Sequence, residues 1–193
     1  MKKKPTRGER IAAVHRSEDF PRDRALVVAV VGRSNVGKSS LLNRLLGRDA
    51  ARVGKNPGKT RGIYFYETEE GYRLADLPGT GFARVSREER ERWRELADRL
   101  FRSGRVTLAL ALVDGRVPDA PADRSLREYL SALGVPALAV ATKWDRVASG
   151  ERARARRRLE AAHGDVLPVS SVSGEGIEEL RRQIRRRVRE VEG

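Results

Sequence analysis

The chain has 193 residues, the size of one ordinary domain, and carries 41 lysines and arginines against 27 acidic residues, a formal charge of +14. Such an excess points to an anionic partner, nucleic acid first. The absence of cysteine excludes a disulfide framework, a thiolate zinc site and a catalytic cysteine.

Residues 1–24 open with Met1-Lys2-Lys3-Lys4 and hold no apolar core of signal-peptide length. They are expected to form a basic, flexible leader, with a single domain over 25–193 and a cytoplasmic location. The longest apolar runs, residues 25–31 and 108–113, are far shorter than the ~18 residues a membrane span needs. They read as buried strands, and no membrane partner is expected.

The strand over 25–31 leads into Gly32-Arg33-Ser34-Asn35-Val36-Gly37-Lys38-Ser39-Ser40, and a helix over 38–46, apolar at Leu41, Leu42, Leu45 and Leu46, stops at Gly47. Strand, glycine loop and helix are the context that a G-x-x-x-x-G-K-[ST] match requires. The loop amides and the helix dipole would face phosphates, Lys38 would reach the β- and γ-phosphates, and the Ser39 hydroxyl would ligate Mg²⁺. A second Gly58-Lys59-Thr60 fails the same test, because Val53 stands where the leading glycine belongs. Thr60 reads instead as a loop hydroxyl that completes the magnesium shell when a γ-phosphate is present. Strands over 63–67 and 72–76 are separated only by Thr68-Glu69-Glu70-Gly71, too short for a crossover, so they predict a hairpin and one antiparallel strand. Asp76-Leu77-Pro78-Gly79 then gives D-x-x-G: Asp76 can hold a magnesium-bound water, and the Gly79 N–H can meet the γ-phosphate. Loss of that phosphate would release both loops, as in a molecular switch.

Ser86-Arg87-Glu88-Glu89 opens a helix whose Trp93, Leu96, Ala97, Leu100 and Phe101 form a core-facing stripe. A strand over 106–113, a helix around Leu126, Tyr129, Leu130 and Leu133, and a strand over 137–141 follow. At the end of that last strand stands Thr142-Lys143-Trp144-Asp145, where open parallel sheets present their ligands. Asp145 can accept from the N1–H and N2 amine of guanine, whereas adenine opposes it with an acceptor. That mismatch is worth on the order of 10³-fold in affinity. Lys143 would lie along the base, and Trp144 reads as packing. After a strand over 166–169, Ser170-Ser171 can offer an N–H to guanine O6, and Ile177, Leu180, Ile184 and Val188 mark the last helix. The alternation predicts an α/β fold: a mostly parallel six-stranded sheet with one antiparallel strand and helices on both faces.

These motifs resemble the EngB family of bacterial ribosome-biogenesis GTPases, within the wider class that includes Era, EngA, TrmE and septins, over roughly residues 20–190. The resemblance rests on the loop through Asn43, on Asn56-Pro57-Gly58-Lys59-Thr60, on Asp76-Leu77-Pro78-Gly79, on Thr142-Lys143 with Asp145, and on Ser170-Ser171. It implies a Ras-like G domain that binds and hydrolyses GTP, holds GDP and Mg²⁺, and acts with ribosomal RNA of the large-subunit precursor. Members of the wider class also use a phosphate-loop asparagine to coordinate K⁺, which here would be Asn35. Two departures stand out: Thr80 replaces the family's usual tyrosine after Gly79, and bulky Trp144 fills the variable position of the base motif.

Ras-like proteins orient the attacking water with a glutamine after the D-x-x-G glycine, but here Thr80 stands there and Gln183 is the sole glutamine. Slow intrinsic hydrolysis, raised by a partner or K⁺, is therefore expected, with Lys38, Thr60 and Gly79 as the catalytic set. Arg152, Arg154 and Arg156–Arg158 crowd one helix, and Arg181, Arg182, Arg185–Arg187 and Arg189 the last, which suits RNA phosphate contact and strong salt dependence. Glu178 and Glu179 can pair at i+3 or i+4 and neutralise part of this charge, so a solvated arginine face is the alternative. No obligate oligomer is expected. A nucleotide-dependent RNA-binding scaffold with little hydrolysis, and a P-loop ATPase or phosphotransferase, stay open as alternatives.

Overall fold

Val27–Gly32 (β2) is buried at every position, as a central strand covered on both faces must be. The computed structural model, which describes residues 9–47, 62–79, 86–117 and 120–192, places β2 in a seven-stranded sheet. The other strands are β1 (Arg10–Val14), β3 (Ile63–Glu67), β4 (Arg73–Asp76), β5 (Val106–Asp114), β6 (Ala137–Thr142) and β7 (Val166–Pro168), in the order β1-β3-β4-β2-β5-β6-β7. β3 pairs antiparallel with both β4 and β1, so it alone runs against the others. The expected hairpin and the single reversed strand are both present.

Period-two alternation divides β2 between two cores. Val28 and Val30 pack with α1 (Lys38–Leu46) and α5 (Ile177–Glu192). Val27, Ala29 and Val31 face α2 (Arg87–Phe101) and α3 (Pro121–Ala132). On the same side as α3, Leu159 of α4 (Arg152–His163) covers Val113, Ala141 and Val166. The Ser86 hydroxyl caps α2 by accepting from the Glu89 amide at 3.1 Å, and Trp93, Leu96 and Leu100 are buried, as the stripe predicts.

The seventh strand, β1, lies inside the segment assigned above to a flexible leader, and it corrects both that assignment and the count of six. Val14 is its sole fully buried position, so it lacks the apolar run that marks an interior strand. Its order comes from long-range pairing with β3, Val14 opposite Ile63 and Ala13 opposite Tyr64, which local pattern does not carry. Residues 21–25 are also tied down: Arg105 Nη1 donates to Pro21 O at 2.8 Å, and Arg73 Nη1 donates to Asp23 at 2.5 Å. Residues 1–8 lie outside the described residues.

Candidate functional site

β2, β4, β5, β6 and β7 run parallel, so Gly32, Asp76, Asp114, Thr142 and the residues after Pro168 gather at one sheet edge. The 32–39 loop leaves β2 with Gly32 at φ +147°, where an added Cβ would stand 2.7 Å from the Leu112 carbonyl oxygen. A side chain there would collide with backbone. Val36 is buried in the core and anchors the loop from below. Ser34, Ser39 and Ser40 remain half-buried. Gly37, at φ +113°, precedes Lys38 as the first residue of α1. The Lys38 ammonium curls under the loop and donates to Gly32 O and Arg33 O, each at 3.0 Å. Arg33 itself turns away, its Nε donating to Asp123 of α3 at 2.9 Å.

Asp76 is 3% exposed, and its Oδ1 is buried without a hydrogen-bond partner among the described residues. Burial pushes its pKa up to about 6, opposed by the Lys38 charge. Burial likewise brings Lys38 down to about 8, opposed by Asp76. An orphaned carboxylate oxygen is costly unless a cation or donor meets it. With Ser39 on the neighbouring helix, this hard oxygen set fits a magnesium ion and its water. Gly79 packs directly on the loop: a Cβ there would lie 2.9 Å from both Lys38 Nζ and the Ser34 amide nitrogen. Thr60 and Thr80 lie outside the described residues.

At the other end, Lys143 is in the left-handed region at φ 57°, and its Nζ donates to Asn35 O at 2.6 Å and Asp114 Oδ2 at 2.8 Å. The Thr142 hydroxyl lies 2.5 Å from Val36 O and 3.0 Å from Val113 O. Two neighbouring residues thus lash the 142–145 segment to the glycine loop. The Ser170 hydroxyl donates to Asp145 Oδ1 at 2.6 Å and accepts from the Ser173 and Val172 amides at 3.0 and 3.2 Å. Asp145 is exposed and Ser171 half-buried, in the turn after β7. Trp144 is packing, as expected: it is buried with Val113, Ala141 and Leu159, and the Arg152 guanidinium lies 5.8 Å from its ring centroid.

Two acids escaped the sequence reading. Asp114 holds Lys143 and forms a two-point pair with Arg116, and despite its burial these cations keep its carboxyl below the ordinary range. An acid ending an apolar strand before a glycine, at the carboxyl edge of a parallel sheet, was the available signal. Asp123, which holds Arg33, offered none; in the first turn of a helix it reads as a dipole partner. Gln183 donates to Glu179 on α5, and His163 ends α4. His15 follows β1 at the sheet edge and meets Tyr64 edge-on at 6.1 Å.

The arginine-rich surface is less uniform than its composition. Arg152 is structural, donating to Trp144 O, Val147 O and Glu175. On α5, Arg181, Arg182, Arg186 and Arg187 pair with Glu178, Glu179 or Glu190. Among the described residues, no helix is long and apolar enough to cross a membrane.

A family model described as 50S ribosome-binding GTPase matches residues 27–143. A protein of Thermotoga maritima named "Probable GTP-binding protein EngB" is 44% identical over 168 residues, covering 84% of this chain and 86% of the relative. Its namesake from Thermosipho africanus is 38% identical over 178 residues, covering 89% and 92%. A crystal structure of a probable GTP-binding protein EngB superposes with a TM-score of 0.68 at 28% identity, over 85% of this chain and 99% of that one. The glycine loop, the acid at the end of β4 and the lashed 142–145 segment thus stand in a P-loop GTPase fold, and the chain belongs to the EngB family of GTP-binding proteins.

Proposed function

We propose that this EngB-family GTPase is a slow GTP-driven switch acting on ribosomal RNA during large-subunit assembly, in the cytoplasm. One observation carries the nucleotide reading: Lys143 Nζ bonded to Asn35 O at 2.6 Å ties the base-reading segment to the phosphate loop as one unit. Gly32, Arg33, Ser34, Asn35, Val36, Gly37, Lys38, Ser39 and Ser40 surround the phosphates in this reading. Thr142, Lys143, Asp145, Ser170 and Ser171 frame the guanine, and Gly79 brings its N–H to the γ-phosphate. The Thr142 hydroxyl serves by joining the two loops rather than by touching the base.

Ser39, Thr60 and Asp76, the last through water, would hold Mg²⁺, which when bound offsets phosphate charge. The protein's own part is to orient the triphosphate with loop amides and Lys38 and to aim the Gly79 N–H at the terminal phosphate. Asn35 is exposed and left-handed, its side chain without a recorded bond among the described residues, and it suits an oxygen donor to K⁺. Titration of GTP, GDP and ATP into the protein and into Asp145→Ala tests the assignment. GTP preferred over ATP by about 10³-fold, with that preference lost in the variant, is the expected result; equal binding of both nucleotides by the native chain refutes it. Phosphate release in K⁺ against Na⁺ reads the cation.

A further inference from the structure

Two arginine clusters, one along α5 and one between α3 and α4, are not equivalent. On α5, four arginines share three glutamates of the same helix; Arg185 and Arg189 have no ion pair among the described residues, but the groove they line with Arg182 and Arg186 also contains Glu190. Between α3 and α4 lies a second concavity of about 360 Å³, walled by Arg124 and Arg127 of α3 and Arg158 of α4 over a floor of Ala161 and Ala162. Among the described residues, no carboxylate lines it. Arg127 and Arg158 are exposed, and neither has an ion pair among the described residues. Cations already satisfied by neighbouring carboxylates release few counterions when a phosphate arrives, while unpaired ones release one each.

From this charge pattern we propose that the α3–α4 cleft, rather than the more arginine-rich α5 face, is the docking surface for the sugar-phosphate backbone of structured RNA. The inference rests on the RNA reading given above and names the face that carries it. The alanine floor leaves room for a phosphodiester to sit between the two helices, with guanidinium forks on both walls able to grip its oxygens. An anionic membrane fits less well. A bilayer contact gains from apolar side chains that insert, and the large hydrophobic side chains exposed among the described residues, Val117, Val172 and Val191, lie on neither α3 nor α4. Among the described residues the cleft has no aromatic lining either, so base stacking contributes little and recognition follows backbone shape.

The test compares two double variants of equal charge change at arginines without an ion pair among the described residues, Arg127→Ala/Arg158→Ala in the cleft and Arg185→Ala/Arg189→Ala on α5, each in the full chain. Affinity for protein-free 23S ribosomal RNA is measured from 50 to 300 mM KCl, and binding to phosphatidylserine vesicles is measured alongside. The cleft pair is expected to lose about tenfold or more in RNA affinity at 100 mM and to flatten the log–log salt dependence by about two, with the α5 pair changing it by less than half as much. Unchanged GTP affinity in both variants verifies that each is folded. If the native chain binds RNA and the α5 pair loses as much as the cleft pair, the cleft assignment falls while the RNA reading stands. If the native chain binds vesicles but not RNA, both fall.

Discussion

The 32–39 loop and the 142–145 segment face each other across a few ångströms, yet they differ in how their polar groups are satisfied. Lys143 has two acceptors, Asp145 has a serine donor, and that serine has two amide donors of its own. The end near β4 is the reverse: Asp76 keeps a buried oxygen without a partner among the described residues, and Lys38 turns back onto carbonyls of its own loop. A fully bonded site is rigid and binds the same way each time, whereas an under-satisfied one has free energy to release when a new charge arrives. In the proposed function, discrimination of the base belongs to the first, and response to the terminal phosphate to the second.

Lys38→Ala should separate the two most strongly. Removing the ammonium lowers the rate of phosphate release by about 10²–10³, and affinity for GTP falls more than affinity for GDP; equal losses for both nucleotides would merge the two ends into one. Gly79→Ala comes next. Its methyl would sit 2.9 Å from the Ser34 backbone nitrogen, which has little freedom to yield, so Gly79 is displaced at a cost of about 1–3 kcal/mol. Hydrolysis is expected to drop while GDP affinity stays within about twofold, as calorimetry and single-turnover assays would read together.

How far the sequence carried this division depends on the kind of contact. α1 occupies Lys38–Leu46 as its leucine spacing and Gly47 predict, and the glycine loop, the acid of β4 and the β3–β4 hairpin follow from patterns only a few residues long. What was not legible depends on partners far along the chain. β1 exists through its pairing with β3, Asp123 meets Arg33 across 90 positions, and Arg152 leaves the basic surface to bond carbonyls around Trp144. The partial neutralisation of α5, by contrast, was legible, since Glu178 and Glu179 stand three residues from the arginines that they pair with.

Ser170→Ala probes the satisfied end. The substitution strips Asp145 of its donor and leaves the Val172 and Ser173 amides without their acceptor, a loss of about 1–2 kcal/mol or roughly tenfold in affinity. Because the base is common to both nucleotides, GTP and GDP should weaken by the same factor. A loss confined to GTP would place Ser170 in the phosphate response instead.

Asp114→Asn has the smallest expected effect and the clearest pH signature. The carboxylate is bonded by Lys143 and Arg116, which hold its folded pKa below the 3.8 of the free side chain. A depressed carboxylate pKa stabilises the fold at every pH above its unfolded value, and that contribution drains away as pH falls toward the folded one. Native protein should therefore exceed the variant by a constant margin of about 1–2 kcal/mol in urea unfolding between pH 5 and 8. The margin should narrow below pH 4. Since Lys143 also bonds Asn35 O, it keeps one tie to the glycine loop in the variant, so base discrimination weakens less than in Ser170→Ala. A margin that instead grew on acidification would mean that Asp114 is held protonated, and that the lysine is oriented by the loop carbonyl alone.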